Sequence, residues 1–171
     1  MLQRLKSKYI LETIFCFIKN RKKLNIIKYN KRILARLKIN KKHFENYIRL
    51  KEFNNNYNTN IEDIDIKELN LEKKIIGNEV LKFLFKTEFK ELKKLYLSYN
   101  EISDINILEK VNFKELKELN LSYNKISDIN ILGKVNFKQL IKLNLYSNNI
   151  SKTDNYSLID SLKLKIRNFY V

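Results

Sequence analysis

An α/β solenoid is the fold class this sequence predicts: stacked coils with parallel strands on one face, short helices on the other, and a helical segment ahead of them. Three observations predict it. Residues 91–114 (ELKKLYLSYNEISDINILEKVNFK) and 115–138 (ELKELNLSYNKISDINILGKVNFK) match at 20 of 24 positions. The next segment, QLIKLNLYSNNIS (139–151), keeps the same frame. The apolar spacing also reaches back to Ile66, Leu69 and Leu71, so units begin at Ile66, Leu92, Leu116 and Leu140, spaced by 26, 24 and 24 residues. One such unit cannot bury its apolar face alone, so copies must stack.

Composition agrees with a folded chain and narrows its chemistry. Apolar residues make up 44% of the 171 residues, enough for a core, which excludes wholesale disorder. There is no Pro and there are two Gly, which excludes collagen-like chains and Gly-rich phosphate loops. One Cys allows no internal disulfide, and one Cys with one His cannot build a usual zinc site. The net charge is +16, and residues 1–60 carry +13 of it. Such a basic segment suits nucleic acid, an anionic membrane surface or an acidic protein. However, Lys outnumbers Arg 29 to 6, and Asn (24) and Ile (23) are equally inflated. That is the bias of an AT-rich coding sequence. It also lacks the planar guanidinium forks that base and phosphate recognition favour. Nucleic acid is therefore not the expected partner.

Taken in order, residues 1–53 form a basic helical segment or N-terminal cap. Leu5, Tyr9, Ile10, Ile14, Phe17 and Ile18 sit at helical spacing, followed by Leu24, Ile27, Ile33, Leu34 and Leu37, then by Phe44, Tyr47, Ile48 and Leu50. The apolar run Ile10 to Ile18 falls short of the ~20 residues a bilayer span needs. Lys19-Asn20-Arg21-Lys22-Lys23 follows it in place of a small-residue cleavage site, so the reading is a buried helix in an intracellular protein, cytoplasmic or nuclear. Cys16 reads as a small buried hydrophobe and His43 as an exposed or half-buried side chain. Residues 54–60 read as an Asn-rich linker.

Residues 61–171 hold the repeats. In x-L-x-L-x, apolar and polar residues alternate, so Leu95 and Leu97 face a core while Lys94, Tyr96 and Ser98 face outward. Ser103 and Ser127 read as helix N-caps, with Asp104 and Asp128 in the first turn. A short helix through Ile105, Leu108, Val111 and Phe113 then returns the chain, as do Ile129, Leu132, Val135 and Phe137. Gly133 in place of Glu109 should loosen the second helix. The first unit has Lys74 where the others carry Asn and reads as a degenerate entry coil. Ile159, Leu162, Leu164 and Ile166 alternate with Lys163, Lys165 and Arg167, which reads as a charged capping strand.

The shared pattern, L-x-x-L-x-L-x-x-N-x-I, runs through Leu92, Leu95, Leu97, Asn100, Ile102; Leu116, Leu119, Leu121, Asn124, Ile126; and Leu140, Leu143, Leu145, Asn148, Ile150. It resembles the leucine-rich repeat family over about 85 to 105 residues. The I-S-D-I steps at 102–105 and 126–129 are similar to the subclass found in a regulatory subunit of type-1 protein phosphatases. The resemblance implies a short right-handed solenoid, an inward Asn ladder bonding neighbouring turns, and partner binding by outward strand residues on the concave face. Those residues are Lys94, Tyr96, Ser98, Tyr99, Glu118, Asn120, Ser122, Tyr123, Lys142, Asn144 and Tyr146. They form rows across the units, one of them Glu68, Lys94, Glu118, Lys142 with alternating sign. The implied function is a non-catalytic protein–protein interaction module with no cofactor, since no nucleophile–base pair, acid pair or phosphate loop stands out. A helical module ahead of such repeats is also similar to the arrangement of F-box proteins. Ile10-Leu11 and Ile14 to Ile18 resemble that box, but without its Leu-Pro opening and with no Pro or Trp in the chain. That resemblance implies the alternative of a ubiquitin-ligase substrate adaptor. A third reading gives the basic helices RNA or an anionic membrane surface.

Overall fold

The computed structural model describes residues 41–171 apart from 112 and 136, and residues 46–171 form one compact unit. The two earlier helical sets, the box-like run, Cys16 and the side chain of His43 lie outside the described residues. Five three-residue strands form one parallel sheet in sequence order: β1 (Glu68–Asn70), β2 (Lys94–Tyr96), β3 (Glu118–Asn120), β4 (Lys142–Asn144) and β5 (Asn168–Tyr170). The register places Leu69, Leu95, Leu119, Leu143 and Phe169 side by side. Leu95, Leu119 and Leu143 are at most 1% exposed. Leu71, Leu97, Leu121 and Leu145 form a parallel buried row, and Ile102 and Ile126 a third. Each buried Leu contributes about 1.5–3 kcal/mol relative to exposure. The x-L-x-L-x frame therefore becomes strand because the stack supplies a continuous interior.

The three Asn residues close each coil onto the preceding one. Asn100 Oδ1 accepts the backbone N–H groups of Lys74 (3.2 Å) and Ile76 (3.4 Å), while its Nδ2 donates to the Leu71 carbonyl (2.6 Å). Asn124 Oδ1 accepts from Asn100 (3.1 Å) and Ile102 (2.9 Å), and its Nδ2 donates to Leu97 (3.0 Å) and Leu121 (2.9 Å). Asn148 repeats the pattern on Ile126 (3.0 Å) and Leu121 (2.9 Å). One amide carries donors and an acceptor, which suits two strands' orphan groups. Because each Asn serves the coil before it, the entry coil has nothing to serve. Lys74 at that position instead sends its ammonium out to the Asn58 carbonyl (2.8 Å).

Four expectations need correction. The convex returns are single 3-10 turns, Asn106–Glu109 and Asn130–Gly133, not α-helices. Ser103 and Ser127 do not cap them. Asp104 and Asp128 do the local bonding, each accepting the N–H two residues on (2.9 Å). Gly133 does more than loosen a turn. A Cβ there would stand 3.2 Å from Leu158 Cδ1, so its absence seats the helix that follows. That helix, α3 (Tyr156–Lys165), occupies the stretch read as a capping strand: Ile159 and Leu162 are buried, whereas Leu164 is 90% exposed. The closing strand is β5, beyond it.

At the other end, α1 (Lys41–Tyr57) runs through Asn54, Asn55 and Asn56, so most of the expected linker is its last turn. Leu50 and Phe53 are buried one turn apart. Phe53 stacks on Phe83 of α2 (Glu79–Thr87), with centroids 3.7 Å apart and planes 13° apart. Arg49 donates to the Lys86 carbonyl (2.9 Å). Residues 46–57 thus pack as part of the repeat unit.

The concave sheet face as a candidate partner-binding site

Eleven outward positions were expected on one face, and the register aligns two of the expected rows. Glu68, Lys94, Glu118 and Lys142 are successive neighbours, as are Asn70, Tyr96, Asn120 and Asn144. Charge alternates along the first row, and its ion pair is Lys94–Glu118 (3.4 Å). The hydrogen bond and charge of Glu118 hold the Lys94 ammonium above its ordinary pKa. Burial, then the Glu118 charge, pushes the Tyr96 phenol up, and its hydroxyl reaches Glu118 Oε2 (3.4 Å). Lys94, Tyr96, Glu118, Asn120, Lys142 and Asn144 are all half-exposed.

Ser98 and Ser122 are not on the open face: they are 3% and 4% exposed. The Ser98 hydroxyl donates to Glu72, and Ser122 donates to Asn120 Oδ1 (2.7 Å). Asn120 Nδ2 also donates to Glu72 Oε1 (3.2 Å). The chain has begun to turn off the strand here, so this row is a hydrogen-bonded shoulder.

The next position carries the most distinctive feature. Lys73, Tyr99, Tyr123 and Ser147 have φ of 57°, 57°, 52° and 57°. Left-handed backbone costs a non-Gly residue roughly 1–2 kcal/mol. The turn that sends Asn100, Asn124 and Asn148 inward requires it. The same turn stands Tyr99 and Tyr123 on the rim, 44% and 42% exposed. Their rings stack at 4.3 Å and 7°, and Tyr146 meets Tyr123 edge-on at 5.8 Å and 75°. Lys73 Nζ lies 5.4 Å from the Tyr99 centroid. The result is a continuous aromatic row beside the charged row, with a cation at one end. Tyr146 joins it although serine and tyrosine exchange places in the third unit (LYSN for LSYN). The phenolate charge and hydroxyl of Tyr99 push the Tyr123 phenol above its ordinary value.

The sequence reading missed β5, which extends the face with Asn168 and Tyr170, the latter 49% exposed. Ile166-x-x-Phe169-x-Val171 repeats the frame of Leu140-x-x-Leu143-x-Leu145 and was the available signal. The hollow among Tyr96, Glu118, Asn120, Lys142 and Asn144 is only about 50 Å³. That is far below the ~300 Å³ of an ordinary small-molecule site. Among the described residues, no group of three His, Cys, Asp or Glu is placed to hold a metal ion, and no helix is long and apolar enough to cross a membrane. Against known families, a model described as leucine-rich repeats, two copies, matches residues 90–134, the two near-identical units. No curated protein matches the chain.

Proposed function

We propose that this chain, whose residues 90–134 match a model of leucine-rich repeats, is a non-catalytic module that binds another protein through its concave face. Leucine-rich repeats are commonly protein-interaction modules. The observation that carries the reading is the exposed row Tyr99, Tyr123, Tyr146. Tyr supplies large contact area, a polar tip and little rotamer entropy to lose, which is why it is enriched among binding hot spots. Stacking holds the rings in place before any partner arrives, which lowers the ordering cost of binding. Beside them, Lys94, Tyr96, Glu118, Asn120, Lys142 and Asn144 offer half-exposed polar groups for register. The hollow at the centre of the face, about 50 Å³, is too small for an ordinary small-molecule ligand, which favours a protein partner there. We place the protein inside the cell, cytoplasmic or nuclear, because its single Cys gives it no disulfide framework.

The test is affinity capture with the whole chain beside a Tyr99→Asn, Tyr123→Asn, Tyr146→Ser variant. Asn tolerates left-handed backbone, so the variant removes the rings without breaking the turns. A set of proteins retained by the native chain and lost from the folded variant supports the reading. Identical captured sets contradict it.

A further inference from the structure

Among the described residues, β1 has a strand on one side only. In a parallel pair, alternate residues supply the groups that face a given neighbour. Lys67 and Leu71 bond to the β2 side. Glu68 and Asn70 therefore turn their backbone N–H and C=O groups to the free edge. Along that edge runs a groove of about 540 Å³ between β1 and the turn Asn58–Glu62, with Ile61, Ile66 and Leu69 in its lining. The far wall is fixed. Asn54 accepts from Ile61 N (2.9 Å) and Thr59 Oγ1 (2.7 Å) and donates to the Ile61 carbonyl (3.0 Å). Lys74 ties Asn58 to the first coil (2.8 Å). An unpaired edge facing a fixed wall is the geometry of strand addition, in which the backbone gives affinity and alternate side chains give specificity.

The charge pattern says which strand fits. Glu68 begins the alternation Glu68, Lys94, Glu118, Lys142. Lys94 directs its ammonium to Glu118 (3.4 Å), and Glu68 makes no ion pair among the described residues. A strand added outside Glu68 would stand ~4.8 Å away, where a cation continues the alternation and an anion breaks it.

We propose that the free edge of β1 binds an extended basic segment of a partner protein as an added strand. Lys or Arg lies beside Glu68, an aliphatic residue beside Leu69 and a polar residue beside Asn70. This site is separate from the tyrosine row and stands without it.

The experiment is fluorescence anisotropy of the full chain with a short labelled peptide alternating Lys and Val, in three forms: unmodified, and N-methylated on either set of alternate amides. One methylated set is expected to weaken binding about tenfold or more and the other to leave it nearly unchanged, because an added strand turns only one set toward the edge. Glu68→Lys is expected to weaken the unmodified peptide by a similar factor, and Tyr99→Asn to leave it unaltered. Absence of binding, or equal binding of all three peptides, overturns the proposal, the latter reducing it to charge attraction. A dimer by sedimentation that the peptide dissociates also overturns it, by making a second copy the occupant. Should Glu68→Lys unfold the chain, the methylation comparison on the native protein decides.

Discussion

Asn124 bonds two coils at once and shows how much one side chain carries. Its loss to Ala strands the N–H groups of Asn100 and Ile102 in the interior, and each unsatisfied buried group costs about 1–3 kcal/mol. Asn148 serves a single N–H, that of Ile126, and is half-buried. Denaturant titration should therefore rank Asn124→Ala as more destabilising than Asn148→Ala, by at least about 1 kcal/mol. Equal losses would remove the ladder's asymmetry. The ladder was legible because the Asn recurs at fixed spacing. The left-handed turn before it was not, because Tyr99 and Tyr123 stand where Gly would have announced it. Their stacking has its own signature. The raised Tyr123 phenol implies stability present below its unfolded value, near ~10, and lost as pH rises through the folded one. Because Tyr99 contributes most to that rise, Tyr99→Phe should bring the Tyr123 titration, followed by the NMR shift of its ring carbon, down toward the ordinary value. An unmoved titration would contradict that cause.

At the scale of elements, the strands were readable and the returns were not. Three residues of x-L-x leave little room for ambiguity once the neighbouring copies align them. The stretch 156–167 satisfied two periods. Leu162, Leu164 and Ile166 alternate as in a strand, whereas Ile159, Leu162 and Ile166 also recur at three and four, as on one face of a helix. Packing decided for the helix, since it buries Ile159 and Leu162 and packs Leu158 against the core while Leu164 stands outside. The two readings separate by mutation. Leu162→Ala should cost about 2–5 kcal/mol, and Leu164→Lys should stay within about 0.5 kcal/mol as a surface change. Comparable losses at both would favour the strand. The expected linker failed for a related reason: Asn54, an apparent loop residue, is a helix terminus whose side chain holds Thr59 and Ile61.

For the molecule as a whole, stacking ties these elements into one interior, and the candidate site is a by-product of it. The same turn that sends an Asn inward lifts a Tyr onto the rim, so the tyrosine row has the period of the solenoid. Its members were legible in the sequence as outward residues, but their contact with one another was not, because ring geometry depends on the strand spacing and the left-handed turn together. The whole reading rests on Leu95, Leu119 and Leu143 lying in one row. The most direct measurement is methyl–methyl NOE spectroscopy on the full chain with labelled Ile, Leu and Val. Strong cross-peaks are expected for Leu95–Leu119 and Leu119–Leu143, with Leu95–Leu143 weak or missing because it spans two strand spacings of ~4.8 Å. A spectrum in which neither adjacent pair is connected would contradict the stack, and with it the face on which partner binding is proposed.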